Sequence, residues 1–86
     1  MTSEEILRRL TKVVRSTVPC GDVPLTRETR AMDVRGWDSL SHTMILVALE
    51  DEFDLTFPTE RVLAVGNVGQ LMDLITELIL QKRPSA

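Results

Sequence analysis

The sequence predicts an all-α fold: three main helices, one short third helix, and a long loop between the first and second. Three observations carry that expectation. Apolar residues recur at spacings of three and four over three separate stretches. Each stretch follows a residue suited to cap a helix, which is Thr2 or Ser3, then Asp38, then Asn67. Each is also closed by breakers: Pro19 and Gly21, then Pro58, then Pro84.

Thr2-Ser3-Glu4-Glu5 has the form of a capping box in which Glu5 reaches back to the cap. Ile6, Leu7, Leu10, Val13 and Val14 follow on one helical face, and the helix should end near residues 16–18. Arg8, Arg9, Lys12 and Arg15 occupy its other faces, as a solvated surface or as a docking one. From Pro19 to Trp37 runs a connection long for so small a domain, as a crossover between helices would require. Leu25, Ala31, Met32 and Val34 are expected to pin it to the core.

The central helix should run from Ser39 to Phe53. At about 100° per residue, His42, Ile45, Leu46, Leu49 and Phe53 form one stripe, read as the core face. Leu40, Thr43, Met44 and Val47 gather on nearly the opposite side with Asp51. Either the loop or another helix covers this second apolar face, or it is an exposed docking strip beginning beside Ser39. Glu50, Asp51 and Glu52 lie near the helix C-terminus, where negative charge opposes the helix dipole, so they do not look chosen for helix stability. Phe57 should pack inward. A single short turn then runs through Glu60, Arg61, Val62 and Leu63, with Val62 and Val65 as core contacts and Gly66 as its end. In the last helix Val68, Leu71, Met72, Ile75, Leu78 and Ile79 make one stripe, and Lys82 and Arg83 suit its negative end. Residues 1–83 read as one domain and residues 84–86 as a disordered tail.

Composition narrows the function. Eighty-six residues, 43% hydrophobic and 27% charged, fit one small soluble domain with little room for a preformed cleft. A lone cysteine, Cys20, excludes an internal disulfide and suits a reducing cytoplasm. No secretory signal is recognisable in MTSEEILRRL, and no segment has the length of a membrane span. The net charge of −3 is uneven: seven bases and five acids before Gly36, three bases and eight acids from there on. That distribution disfavours nucleic acid as a partner and favours proteins with basic patches, and with no membrane span no membrane partner is expected.

Asp38 can accept from the free N–H groups of the helix start, and Ser39 then stands where those groups and the dipole favour a phosphate ester. Gly36-Trp37-Asp38-Ser39-Leu40, followed by Ala48-Leu49-Glu50-Asp51-Glu52-Phe53 and then Phe57-Pro58 and Asn67-Val68, resembles an acyl carrier protein. The resemblance implies a right-handed-turning four-helix bundle. It also implies that Ser39 carries a covalent 4′-phosphopantetheine arm donated by coenzyme A, with Asp38 and Leu40 recognised by a phosphopantetheinyl transferase. In that family the serine hydroxyl, deprotonated by the transferase, attacks the phosphorus proximal to the pantetheine, breaking the pyrophosphate bond and displacing adenosine 3′,5′-bisphosphate. The arm's thiol then holds acyl groups as thioesters, so the chain is a carrier and not an enzyme. The implied partners also include an acyl-loading ligase or acyltransferase, and a ketosynthase, condensation-type or tailoring enzyme. On this reading the chain is a monomer that docks through Leu40, Thr43, Met44, Val47, Glu50, Asp51, Glu60, Arg61 and Val62.

Fatty-acid carriers usually have acids after Asp-Ser-Leu, where this chain has Ser41, His42 and Met44; Arg61 and Leu63 also replace common acids. A free-standing carrier of polyketide or related secondary-metabolite biosynthesis fits best. An aminoacyl or peptidyl carrier, a fatty-acid carrier and a non-carrier interaction domain follow in that order. Asp38, Ser39 and His42 supply the residue types of a hydrolytic triad, but Trp37-Asp38-Ser39-Leu40-Ser41 is not a Gly-x-Ser-x-Gly elbow. His42 reads instead as a partly buried residue whose charge state tunes local stability. Asp51, Glu52 and Asp54 lack the glycine and spacing of a calcium loop, so no metal site is expected.

Overall fold

The computed structural model describes residues 2–18 and 24–82. Expectations for Pro19, Cys20, Gly21, Arg83 and the tail 84–86 lie outside the described residues, as does the side chain of Lys82. The described residues form α1 (Ser3–Thr17), a 3-10 turn (Ala31–Asp33), α2 (Ser39–Phe53), α3 (Thr59–Leu63) and α4 (Val68–Lys82), with no strand among them. This is the expected all-helical arrangement with a short third helix. No helix among the described residues is long and apolar enough to cross a membrane.

Helix α1 starts where its cap predicts, with the Thr2 hydroxyl accepting the Glu5 N–H at 3.2 Å. The return bond of the capping box does not form, because the Glu5 carboxylate turns outward to Arg8 and Arg9. Helix α2 ends at Asp54, which adopts a left-handed conformation (φ 52°) while the Leu55 N–H returns to the Glu50 carbonyl at 3.0 Å. Helix α1 lies against both α2 and α4, and α3 packs on α4. Ile6, Leu10 and Val14 of α1, Ile45 and Leu49 of α2, and Leu71 and Ile75 of α4 thereby belong to one buried, mainly aliphatic core.

The long connection is tied to α4. A turn at Thr26–Thr29 presents the carbonyls of Arg27 and Thr29 to the N–H groups of Gly69 and Val68, each at 2.8 Å. With the Asn67 side chain taking the Gln70 N–H, the first three donors of α4 are satisfied. Arg27 also grips Asp73 through both carboxylate oxygens at 3.0 Å. The approach is so close that a Cβ on Gly69 would lie 2.9 Å from the Arg27 oxygen, which is why glycine stands there.

Two packing expectations are corrected. Leu25 and Val34 are buried and Ala31 half-buried, but Met32, also expected to anchor the loop, is 77% exposed. The 3-10 turn carries Ala31 and Val34, three apart, on its inner side, and Met32 between them faces outward. Leu74, outside the expected α4 stripe, is buried; it lines the α3–α4 groove with Ala64 and Val65, so the short helix widens α4's apolar face. The acids at the end of α2 also have structural partners. Glu50 accepts the Phe57 N–H at 2.8 Å, closing the chain reversal after the helix, and Glu52 pairs with Lys12 of α1.

Candidate functional site

The site is assembled at the start of α2 by three consecutive restraints. Gly36 takes a positive φ of 87°, which turns the chain toward the helix and is readily adopted by glycine. Trp37 is buried, and its indole N–H donates to Nδ1 of His42 at 3.0 Å, the two rings lying 6.0 Å apart at 28°. The Asp38 carboxylate accepts the Ser41 N–H at 2.8 Å as the N-cap. Hydrogen bonds from the Ser41 backbone and then its side chain hold the Asp38 carboxyl below the usual carboxylate range. The cap is therefore complete at neutral pH and is lost only as pH falls through that lowered value.

Ser39 is the first residue of α2 and is exposed. Its carbonyl accepts the Thr43 hydroxyl at 3.2 Å, whereas its own hydroxyl makes no hydrogen bond to the described residues. Ser41, two positions on, differs: it is half-buried, and its backbone N–H is the one that Asp38 caps. Of these two serines, Ser39 is the one open to a reacting group from outside.

Beyond Ser39 the two faces of α2 separate cleanly. Ile45, Leu49 and Phe53 are buried, and His42 and Leu46 are half-buried. Leu40 (71%), Met44 (51%) and Val47 (60%) are exposed, with Thr43 and Asp51 exposed beside them. Neither the loop nor another helix covers this strip among the described residues. Leu63 of α3, which stands where acids are common in fatty-acid carriers, is 80% exposed and borders a cleft of about 250 Å³ with Thr43, Val47 and Phe57.

Not every residue grouped with the docking strip sits on it. Val62 is 7% exposed and belongs to the core. Glu50 is half-buried and occupied by Phe57, while Arg61 clasps Glu77 of α4 through both guanidinium nitrogens. Glu60 and Asp51 remain as exposed acids. Burial lowers the His42 imidazole below its usual value, and its Nδ1 is taken by Trp37, so it cannot serve Ser39 as a base through that nitrogen. No group of three or more metal-ligating side chains gathers among the described residues.

A scan against models of protein families finds no match. Individual relatives do match. An acyl carrier protein of Caulobacter vibrioides is 30% identical over 73 residues, covering 85% of this chain and 94% of the relative. A chloroplastic acyl carrier protein of Brassica napus is 31% identical over 80 residues, or 92% of this chain, which spans only 59% of that relative's length. Among solved structures, the solution structure of a holo acyl carrier protein from Geobacter metallireducens superposes with a TM-score of 0.79 at 34% identity, over 92% of this chain and 94% of that one. Nearly the full length of the two bacterial proteins is matched, one of them in three dimensions, and the chain therefore belongs to the acyl carrier protein family.

Proposed function

We propose that this chain carries acyl intermediates for polyketide or related secondary-metabolite biosynthesis, on a 4′-phosphopantetheine arm attached to Ser39. The single observation that supports the attachment point is the exposed, unengaged Ser39 hydroxyl at the mouth of a capped helix. The residues fit the group, because nothing has to move for a phosphodiester to form on an oxygen that makes no internal bond. When bound, the arm supplies a thiol on a long flexible tether, which holds acyl groups as thioesters. The chain's own residues do the rest. Asp38 holds the first turn of α2 in shape, Leu40 offers an apolar contact to the transferase, and Gly36 and Trp37 set the approach of the backbone. On this reading the chain has no catalysis of its own and works in a reducing cytoplasm.

The pathway assignment rests on the outer strip. Leu40, Met44, Val47 and Leu63 make it apolar where fatty-acid carriers are usually acidic, and only Asp51 and Glu60 remain free there to steer basic partners. Such a surface suits partners with an apolar pocket and a sparse basic rim, engaged transiently, among them loading and condensing enzymes. Incubation with coenzyme A and a broad-specificity transferase, followed by intact mass, should show one phosphopantetheine per chain. An unmodified chain, beside a converted control carrier, would return the protein to the class of helical interaction domains. Met44→Glu should weaken binding to the cognate loading enzyme about tenfold, since it places a charge in a desolvated contact. Arm attachment should suffer less, and unchanged or tighter partner binding in titration calorimetry would rule the strip out as the contact.

A further inference from the structure

Trp37 and His42 stand on either side of Ser39 in the chain, and their side chains meet. We propose that His42 is a positioning residue for Ser39: by accepting the Trp37 indole N–H, it latches the segment that leads into α2 onto that helix's own first turns. The functional half of this inference rests on the carrier reading above; the latch itself does not.

An indole nitrogen can only donate, so at 3.0 Å His42 Nδ1 must be the acceptor. The ring is therefore neutral in the latched state, with its proton on Nε2. The His42 backbone N–H is meanwhile bonded to the Asp38 carbonyl at 2.8 Å, so residues 37 and 38 are both held by His42, one through its side chain and one through its backbone. Ser39 follows directly. Releasing Trp37 frees the residue before the N-cap, and the direction in which the Ser39 hydroxyl is offered is then no longer set.

Protonation would release it, because a second N–H would face the indole N–H across 3.0 Å. The surroundings offer the cation little. His42 lines two clefts: a small one of about 40 Å³ with Ala31, Trp37, Asn67 and Leu71, and the larger one beside α3. Every other group in the small cleft is neutral, as are Thr59, Val62 and Leu63 on the α3 side. Glu50 is the one charged side chain lining the larger cleft, and its carboxylate is engaged by the Phe57 N–H. On α2 itself, Asp38 lies a turn back and is bonded to Ser41. Burial accordingly depresses the imidazole from 6.5, so the latch is fully formed above that pH and is lost as pH falls through the lower folded value.

The test compares the apo wild-type chain with His42→Asn, which keeps an acceptor near the Nδ1 position without a titrating group, and His42→Leu, which has none. The indole 1H–15N resonance of the single tryptophan is followed from roughly pH 8 to 5, and arm transfer from coenzyme A is timed in parallel. The wild-type resonance should move through one transition below 6.5, and that of His42→Asn should not. At pH near 7, His42→Asn should accept the arm within about twofold of wild type, and His42→Leu about fivefold more slowly, the loss of one ordinary hydrogen bond. A wild-type resonance that does not titrate, or equal transfer rates for the two variants, overturns the proposal. Should His42→Leu fail to fold, the rate ratio of His42→Asn to wild type decides: it must rise as pH falls through the transition, and a constant ratio overturns the latch. A wild-type chain that takes no arm at all overturns the carrier reading instead, and the indole titration still judges the latch.

Discussion

Ser39→Ala is expected to abolish attachment of the arm completely while leaving the protein as stable as before. Both halves follow from the same facts. The Ser39 side chain is exposed and its hydroxyl bonds to none of the described residues, so removing it breaks nothing inside the fold. Ser39 is also the first helical residue rather than the cap, and alanine is well tolerated in a helix, so the change in stability should be within about 0.5 kcal/mol. Ser41 is no substitute acceptor, being half-buried within the first turn, where Ser39 is exposed. Intact mass after incubation with coenzyme A and a transferase should show no gain, while the far-ultraviolet circular dichroism and melting curve match those of wild type. A mass gain in the variant, traced by peptide mapping to Ser41 or elsewhere, would overturn the assignment of the attachment point. A variant that failed to fold would overturn the claim that the hydroxyl is idle in the structure.

The second large effect is expected at Leu49. It is fully buried in the middle of α2, in the cluster where α1 meets α2. Leu49→Ala removes several buried methyl and methylene groups and leaves a cavity, which costs about 2–5 kcal/mol. A domain this small has total stability toward the low end of about 5–15 kcal/mol, so the substitution should consume much of it. In urea the midpoint should fall with the slope unchanged, and the melting temperature should drop by at least about 10 °C. Val47→Ala, two residues earlier, is the control: it sits on the exposed face and should cost within about 0.5 kcal/mol of nothing. A loss below about 1 kcal/mol at Leu49, or equal losses at the two positions, would mean that the inner and outer faces of α2 have been wrongly assigned.

The helix starts were legible because each is a local event. Thr2, Asp38 and Asn67 cap helices through bonds to N–H groups three residues ahead, and that spacing can be read directly from the chain. Ser39 was legible for the same reason, since its place follows from the cap before it and the motif around it. The docking strip was legible only as a pair of alternatives. A helix with apolar residues on two opposite sides has no single preferred face, and periodicity cannot say which one its neighbours will cover. Met32 illustrates a related limit. In an element of three residues no stripe is long enough to define an inside, so the 3-10 turn takes its orientation from whatever it packs on.

Taken alone, the order of residues determined the number of α-helices and their approximate limits, the caps of α2 and α4, the buried stripe of α1, and the identity of the serine at the head of α2. Those features depend on contacts within one or two turns, where chain connectivity already places the partners. The tertiary structure decided which face of α2 remains open, that Leu74 is buried, that Glu50 and Glu52 are structural, and that Arg27 and Arg61 are tied to Asp73 and Glu77. It also brought the Trp37 indole onto His42. All but the last of these pairings join groups from separate elements. The last spans only five residues, joining the segment that precedes α2 to that helix. Their free energy exists only once the elements are docked, so no local pattern records them.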